Sequence, residues 1–138
     1  MPLVIYLHGN ASCRLEGAEM KELILPRGVN LLVFDYIGCG LSEGEYISLG
    51  WNEKDDLKIL VDYAKEMFNV SAVGLWGRSM GVSTSLRYLK DNQEHVKAAV
   101  LDSGFSKLSD IMEHMGGQLG LGFLYDMMAV FVKKHCED

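Results

Sequence analysis

The sequence predicts an α/β fold, a three-layer αβα sandwich built around a mostly parallel sheet. Two observations carry this prediction. Four short apolar runs are spaced along the first hundred residues, and stretches with helical periodicity lie between them. Strands that alternate with helices form parallel sheets with right-handed crossovers, and the helices then cover both faces of the sheet.

The four predicted strands are apolar on both faces, as expected of a parallel sheet covered by helices. They span residues 3–7, 29–34, 72–76 and 97–101. The first strand ends in a His–Gly sequence and the third in a Gly–Arg–Ser–Met–Gly sequence. We expect these two loops to lie together at one edge of the sheet. We therefore predict that the first and third strands are neighbours, with the second and fourth strands at the edges.

The clearest predicted helix covers residues 52–68. Its apolar residues share one face of a helix: Leu57, Leu60, Val61, Ala64 and Phe68. Glu53, Asp55 and Asp56 fall in its first turn, where the helix dipole favours negative charge.

Two further helices are predicted in the other crossovers. Residues 14–25 form a weaker helix, which Pro26 and Gly28 end. Residues 80–90 form a helix directly after Ser79.

The last part of the chain has a different character. Residues 103–138 are apolar on nearly all sides and contain no further strand. We predict a single domain, with a strand–helix core in residues 1–102 and a helical tail in residues 103–138. The tail is either a helical pair packed on the core or a cap over a pocket, because methionine-rich surfaces adapt to flexible apolar ligands.

Composition excludes several classes of function. The chain has 138 residues, 49% of them hydrophobic, which suffices for one core. A formal net charge of −6 argues against binding to nucleic acid or to an anionic membrane. We find no signal peptide and no apolar run long enough to span a bilayer. Because Cys13, Cys39 and Cys136 lack disulfide or zinc spacing, we expect a cytoplasmic protein with reduced thiols and no metal or cofactor.

The sequence GLWGRSMG, residues 74–81, carries the strongest sign of function. It places Ser79 between Gly77 and Gly81, at the junction of a buried strand and a helix. A sharp turn at this junction strains the serine backbone, and small neighbours avoid a clash. We therefore predict that Ser79 is a nucleophile at the carboxyl edge of the sheet.

A second motif, LHGNAS, follows the first strand. The oxyanion of an acyl-transfer intermediate needs two preorganised hydrogen-bond donors. The backbone N–H groups of Asn10 and Met80 are the candidates, and Gly9 keeps their loop close to the serine. His8 adjoins this loop, and we expect it to brace the backbone rather than to act as the general base.

These motifs resemble those of the α/β-hydrolase superfamily of serine hydrolases, over nearly the whole chain. The segments VIYLHGN, VFDYIGCGLSEGEYISLGW, GLWGRSMG and AAVLDSGFS are similar to successive landmarks of the branch that contains Bem46-like proteins and eukaryotic depalmitoylating hydrolases. The resemblance implies hydrolysis of an ester, thioester or amide. It also implies that Ser79 is the nucleophile, with Asn10 and Met80 as oxyanion donors.

The sequence departs from the pattern of this family at both ends. Members usually have strands before the His–Gly strand and two more after the VLDS segment, and the catalytic Asp and His follow those last strands. We therefore expect the chain to be truncated at both ends and to lack the triad Asp and His. Asp102 is expected to shape the turn after its strand, although it is an acid candidate in a variant triad. No motif surrounds the other histidines, which are His95, His114 and His135.

Three functions remain open at this point. The chain is the core of a serine hydrolase with a small-molecule or acyl substrate, or a binding and assembly module that retains a vestigial nucleophile turn. A flavodoxin-like domain that binds a phosphorylated ligand is disfavoured, because Glu43 and Glu45 would repel phosphate. We also expect a homo-oligomer, formed through the edge strands or through a helix at residues 119–134.

Overall fold

The structure, a computed structural model, describes residues 1–105. These residues form a four-stranded sheet in which every pair of neighbours is parallel. The strands are β1 (Pro2–Leu7), β2 (Asn30–Val33), β3 (Ala72–Arg78) and β4 (Val96–Asp102). Their order in the sheet is β2-β1-β3-β4, which confirms the predicted topology.

Helices fill the connections between the strands. They are α1 (Arg14–Ala18), α2 (Lys21–Ile24), α3 (Glu53–Phe68) and α4 (Met80–Asn92). Short 3-10 turns at Leu25–Arg27 and Gln93–His95 lead into β2 and β4.

The larger core lies between the sheet and the helices α3 and α4. Leu3, Ile5 and Leu7 of β1 point to this side, because alternate residues of a strand share a face, and each is at most 5% exposed. They pack with buried residues of the other elements: Tyr36, Leu57, Val61, Ala64, Val73, Leu75, Met80 and Tyr88. Each large apolar side chain buried here contributes on the order of 1.5–3 kcal/mol, which fixes α4 against the sheet.

The opposite face of β1 is covered by α1. A Cβ atom built on Gly17 would lie 2.6 Å from the Tyr6 ring, so only glycine lets α1 approach the sheet this closely. The Tyr6 ring also packs against Trp76 of β3, with ring centroids 6.3 Å apart. Helices therefore lie on both faces of the sheet, which confirms the three-layer architecture.

The helix predicted at residues 14–25 is wrong in one respect, because the segment is broken into α1, α2 and a 3-10 turn. The break lies at Met20, whose ψ of −6° departs from the helical value. The Met20 carbonyl then accepts hydrogen bonds from the N–H groups of Leu23 and Ile24, and these bonds start the next turn.

The fourth strand lies at an edge of the sheet, as predicted, and it is more exposed than a strand covered on both faces would be. Residues 97–102 of β4 are exposed, and Val100 and Leu101 keep 47% and 44% of their surface accessible. Among residues 1–105, β4 pairs with β3 on one side only, and its other edge has no strand partner. Half of its apolar surface is therefore left open by the described part of the chain.

The predicted tail falls almost wholly outside the described residues. This applies to His114, His135, Cys136 and the helix predicted at residues 119–134. Met1–Gly104 forms one compact unit, and the division of the whole chain into a core and a tail stays a prediction. Within residues 1–105, no helix combines the length and the apolar character that a bilayer-spanning segment needs.

Candidate active site

Ser79 lies at the sharp turn between β3 and α4. Its φ of 51° and ψ of −108° fall in a region that residues other than glycine rarely adopt. Such a conformation costs on the order of 1–3 kcal/mol and persists only where the surrounding structure enforces it. The turn projects the Ser79 side chain at the carboxyl edge of the sheet, where ligands of α/β folds usually bind.

Gly77 and Gly81 make this turn sterically feasible. A Cβ atom on Gly77 would lie 2.4 Å from the Gly81 carbonyl oxygen, and one on Gly81 would lie 2.0 Å from the Leu7 carbonyl oxygen. Both obstacles are backbone atoms, which cannot rotate away as a side chain can. The first turn of α4 therefore packs directly on the ends of β1 and β3.

The backbone of the turn is held from two sides. The Ser79 N–H donates to the Asp102 carbonyl oxygen at 3.0 Å, and the Ser79 carbonyl accepts from the Val82 N–H at 2.9 Å. The Asp102 carboxylate accepts a hydrogen bond from the Ser103 hydroxyl at 2.7 Å. Asp102 thus contacts the serine turn through its backbone, while its carboxylate binds the next residue along the chain.

The loop after β1 lies against the serine turn. Leu7 pairs with Gly77 in the sheet, and a Cβ atom on Gly9 would lie 3.7 Å from the Ser79 Cβ atom. Met80 is the first residue of α4, where backbone N–H groups have no partner inside the helix. Among residues 1–105, the N–H groups of Asn10 and Met80 have no hydrogen-bond acceptor.

His8 is completely buried beneath this loop. Its Nδ1 atom lies 2.8 Å from the Gly9 carbonyl oxygen, so Nδ1–H donates and the neutral tautomer carries its lone pair on Nε2. The ring packs on Tyr36, with centroids 4.8 Å apart. The Gly9 carbonyl belongs to the same peptide plane as the Asn10 N–H, and the His8 contact therefore orients that N–H group.

Asp35 holds the loop after β2. Its carboxylate accepts hydrogen bonds from the N–H groups of Arg14 at 2.6 Å and Leu41 at 3.0 Å, and it pairs with the Arg14 guanidinium. Burial opposes ionisation of this group, but the hydrogen bonds and the guanidinium outweigh it and hold the pKa of Asp35 below its usual value. The loop and the start of α1 are thereby joined through one carboxylate.

Glu53 performs the same function for the loop before α3. Its side chain is buried, and its carboxylate accepts from the N–H and hydroxyl groups of Ser48, both at 2.7 Å, and from the Gly50 N–H at 2.6 Å. Burial opposes ionisation, but these bonds outweigh it and lower the pKa of Glu53. A Cβ atom on Gly50 would lie 2.6 Å from the Ser83 Oγ atom, so this loop packs tightly on α4.

The carboxylates of Asp35 and Glu53 could not be recognised as site residues from the sequence. The sequence indicates Glu53 only as a charge in the first turn of a helix. Its partner Ser48 lies five residues upstream, and this is the one local signal that could have suggested a buried cap. The partners of Asp35 lie up to 21 residues away, and no local pattern reveals them.

No general base contacts Ser79 within the described residues. Its Oγ atom has no hydrogen-bond partner among residues 1–105, and His95 lies in the turn before β4, at the opposite edge of the sheet. His114 and His135 lie outside the described residues. In that same part of the chain, no three His, Cys, Asp or Glu side chains are placed to hold a metal ion.

Comparison with known proteins shows the family to which the chain belongs. The sequence profile of the alpha/beta hydrolase fold matches residues 2–136. The chain belongs to the α/β-hydrolase fold family. This α/β-hydrolase is 31% identical over 114 residues to lysophosphatidylserine lipase ABHD12 of Danio rerio, and 33% identical over 137 residues to the uncharacterized protein YfhR of Salmonella typhi. These matches cover 79% and 89% of the chain.

Solved structures agree with this membership. The α/β-hydrolase is similar to the esterase Pf2001 of Pyrococcus furiosus, with a TM-score of 0.77 and 30% identity over 94% of the chain. It is also similar to Est1E of Butyrivibrio proteoclasticus, which was solved with bound ferulic acid, with a TM-score of 0.72 and 25% identity over 83% of the chain. The chain spans 54% of Pf2001 and 47% of Est1E, and only 29% and 45% of the two curated relatives.

Proposed function

We propose that this chain carries the nucleophile and the oxyanion-binding groups of a serine hydrolase that acts on esters, thioesters or amides. One observation carries the proposal. Ser79 sits in a strained turn between a strand and a helix, and the Gly9–Asn10 loop is packed against it. This arrangement presents a hydroxyl beside two backbone N–H groups that have no acceptor among residues 1–105.

In the proposed reaction, the Ser79 Oγ atom attacks the carbonyl carbon of the substrate while a general base takes the hydroxyl proton. The carbonyl oxygen becomes an oxyanion, which accepts hydrogen bonds from the N–H groups of Asn10 and Met80. The intermediate collapses to an acyl-enzyme and expels the leaving group, which takes up the proton. Water then attacks the acyl-enzyme by the same steps and regenerates the serine.

The names of the relatives support a substrate with an acyl group. One relative is a lysophosphatidylserine lipase, and two structural neighbours are an esterase and a protein that binds ferulic acid. An open cleft of about 590 Å³ lies beside the serine turn and is lined by residues that include Ser12, Leu15 and Arg78. We propose that the substrate enters from this cleft.

The second candidate is a binding or assembly module that has lost hydrolysis. It is favoured by one observation, namely that Ser79 has no histidine or carboxylate partner among residues 1–105. A serine hydroxyl is a weak nucleophile without such a base, and loss of the base costs several orders of magnitude in rate.

Labelling with a fluorophosphonate probe distinguishes these functions. We expect one phosphonyl group on Ser79, added far more slowly than to a complete esterase, and none in Ser79→Ala. Ser71→Ala is the matched control, because Ser71 is exposed at the amino end of β3. Labelling of the chain at no serine, under conditions that label a known esterase completely, would contradict the hydrolase proposal and favour the binding module.

The cellular location remains a proposal as well. Cys13 and Cys39, the cysteines of the described residues, are free thiols. Free thiols are typical of reducing compartments, and they support the cytoplasmic location expected from the sequence.

A further inference from the structure

Glu16 of α1 lies between the two segments that form the proposed site. Its side chain is only 15% exposed. The Oε1 atom accepts a hydrogen bond from the Tyr6 hydroxyl at 2.9 Å, and the Oε2 atom accepts from the Gly9 N–H at 3.4 Å. The Arg78 guanidinium lies 3.6 Å from Oε1. One carboxylate thus contacts β1, the loop after β1 and the residue before Ser79.

The contact with Gly9 has a geometric consequence for the oxyanion donors. His8 holds the carbonyl side of Gly9, and Glu16 holds its N–H side. Peptide planarity couples the Asn10 N–H to the Gly9 carbonyl, which His8 holds, while Glu16 holds the preceding peptide unit through the Gly9 N–H. Together the two contacts restrict rotation about φ and ψ of Gly9, and this restriction limits the direction of the Asn10 N–H. Loops that lack such contacts sample many directions, and a donor helps catalysis only when it is aimed before the charge develops.

The contact with Arg78 links this loop to the nucleophile. Arg78 is the last residue of β3 and precedes Ser79, so Glu16 joins the loop that carries one donor to the strand that carries the serine. The guanidinium also offsets the negative charge that Glu16 brings near a developing oxyanion.

Glu16 is ionised in this setting. Burial opposes ionisation of this carboxylate. Hydrogen bonds and the Arg78 charge outweigh burial and lower the pKa of Glu16. The hydrogen bonds come from the Ser12 and Tyr6 hydroxyls and from the Gly9 N–H. An ionised carboxylate is a stronger acceptor than a neutral one, which favours the long contact to Gly9.

We propose that Glu16 is a positioning residue, which sets the distance and direction of the Asn10 N–H relative to Ser79 by binding Gly9 and Arg78 at once. The proposal rests on the function proposed above, because a fixed oxyanion donor matters only to a reactive serine. It adds a residue of α1 to a site otherwise formed by the strand ends and α4.

The first test measures amide hydrogen exchange at Gly9 by NMR in the full chain. We expect exchange at Gly9 to accelerate at least tenfold in Glu16→Ala and to be partly restored in Glu16→Gln, which keeps one acceptor oxygen. Glu22→Gln is the control, because Glu22 is an exposed residue of the neighbouring α2. Equal exchange at Gly9 in the wild type and Glu16→Ala would overturn the proposal.

The second test separates binding from reaction in fluorophosphonate labelling. We expect Glu16→Ala to lower the maximal labelling rate of Ser79 about tenfold with an unchanged half-saturating probe concentration, since a misaimed donor weakens the reaction and not the encounter. Glu16→Gln is expected to lie between the wild type and Glu16→Ala. An unchanged maximal rate in a folded Glu16→Ala would contradict the positioning role.

The two tests distinguish a failure of the role proposed for Glu16 from a failure of the proposed function. If Ser79 of the wild type is never labelled, the proposed function fails, while the Gly9 exchange rates still decide whether Glu16 holds the loop. Should Glu16→Ala fail to fold, Arg78→Gln replaces it: we expect a several-fold lower maximal labelling rate with Gly9 exchange close to that of the wild type. Labelling of Arg78→Gln at the wild-type rate would overturn the link between Glu16 and the serine turn.

Discussion

Ser79 adopts a backbone conformation that glycine tolerates far better than serine does, with φ at 51° and ψ at −108°. Ser79 is held in this conformation by its contacts with the neighbouring glycines, the Asp102 carbonyl and the start of α4. At the scale of single residues, reactivity and stability therefore make opposite demands on this position.

The first prediction compares two substitutions at Ser79. Ser79→Gly removes the strain of about 1–3 kcal/mol, while the unfolded chain gains about 0.4–1 kcal/mol of flexibility. We expect Ser79→Gly to be about 1 kcal/mol more stable than Ser79→Ala in urea denaturation. The same pair at the exposed Ser71 is the control, and it should favour alanine or show no difference. A more stable Ser79→Ala would show that the turn is not strained.

The second prediction concerns Gly81. Because its Cβ position lies 2.0 Å from the Leu7 carbonyl oxygen, Gly81→Ala forces α4 away from β1. We expect a loss of about 3 kcal/mol or more in the free energy of unfolding, measured by urea denaturation. Gly74→Ala is the matched control, since the nearest atom to its Cβ position is a Val4 methyl carbon at 3.5 Å, an ordinary van der Waals distance, and we expect a change below about 1 kcal/mol there.

At this scale the sequence was informative where the residues are close in the chain. Gly77, Ser79 and Gly81 could be placed at one turn because their spacing sits between an apolar strand and a helix. Glu16 could not be assigned, because a glutamate in a short, weakly periodic helix looks like a solvated charge. Its contact with Arg78 spans 62 positions, and only the register of the sheet brings the two residues together.

At the scale of elements, two carboxylates hold the loops around the site, one from the loop after β2 and one from the start of α3. Asp35 holds the start of α1, and Glu53 holds the loop that packs on α4. Because both carboxylates accept backbone N–H groups while ionised, the loops around the site depend on pH.

The third prediction concerns Glu53. Its pKa in the folded protein lies below the usual value of about 4.3, so its ionised form stabilises the fold above about pH 4.3, and this stabilisation is lost as the pH falls through the lower, folded pKa. We expect Glu53→Gln to lower the free energy of unfolding by about 1–3 kcal/mol at pH 7 and by less at pH 3.5, measured in urea.

The control for this prediction is Glu66→Gln, which changes an exposed residue of the same helix. We expect it to leave stability nearly unchanged at both pH values. If Glu53→Gln destabilised the protein equally at pH 7 and pH 3.5, the ionised carboxylate would not be the stabilising form.

The elements themselves could be predicted in kind but not in detail. Hydrophobic periodicity found α3 and the strands, because their apolar faces contact a core. It could not show the break at Met20, because a periodic pattern of apolar residues does not reveal a local departure of ψ from the helical value. It also could not show how exposed β4 is, because an apolar run does not reveal which elements pack on it.

At the scale of the whole molecule, the outer edges of β2 and β4 are surfaces at which another chain could pair. Within residues 1–105, β2 and β4 each have a neighbour on one side only. Exposed edges of this kind are templates for pairing with another chain. We therefore propose that the protein associates with a second copy through the edge of β4, where Val100 and Leu101 are the exposed apolar residues.

The fourth prediction tests this association by sedimentation equilibrium at tens of micromolar. We expect a dimer or higher oligomer, and Val100→Lys should weaken it at least tenfold, because a buried valine contributes roughly 1.5–3 kcal/mol. Ile59→Lys is the control, since Ile59 is 69% exposed on α3. A wild-type protein that stays monomeric at these concentrations would contradict the proposal.

The strain at Ser79 has a consequence for the history of the chain. A lineage that used this domain only for binding would gain stability from replacing Ser79 with glycine, and nothing in such a function would oppose the exchange. In such a lineage we expect Ser79 to be replaced before Gly77 and Gly81, because replacement of either glycine disrupts packing. On the proposed function, a related chain that keeps both glycines but lacks the serine is therefore expected to have lost hydrolysis.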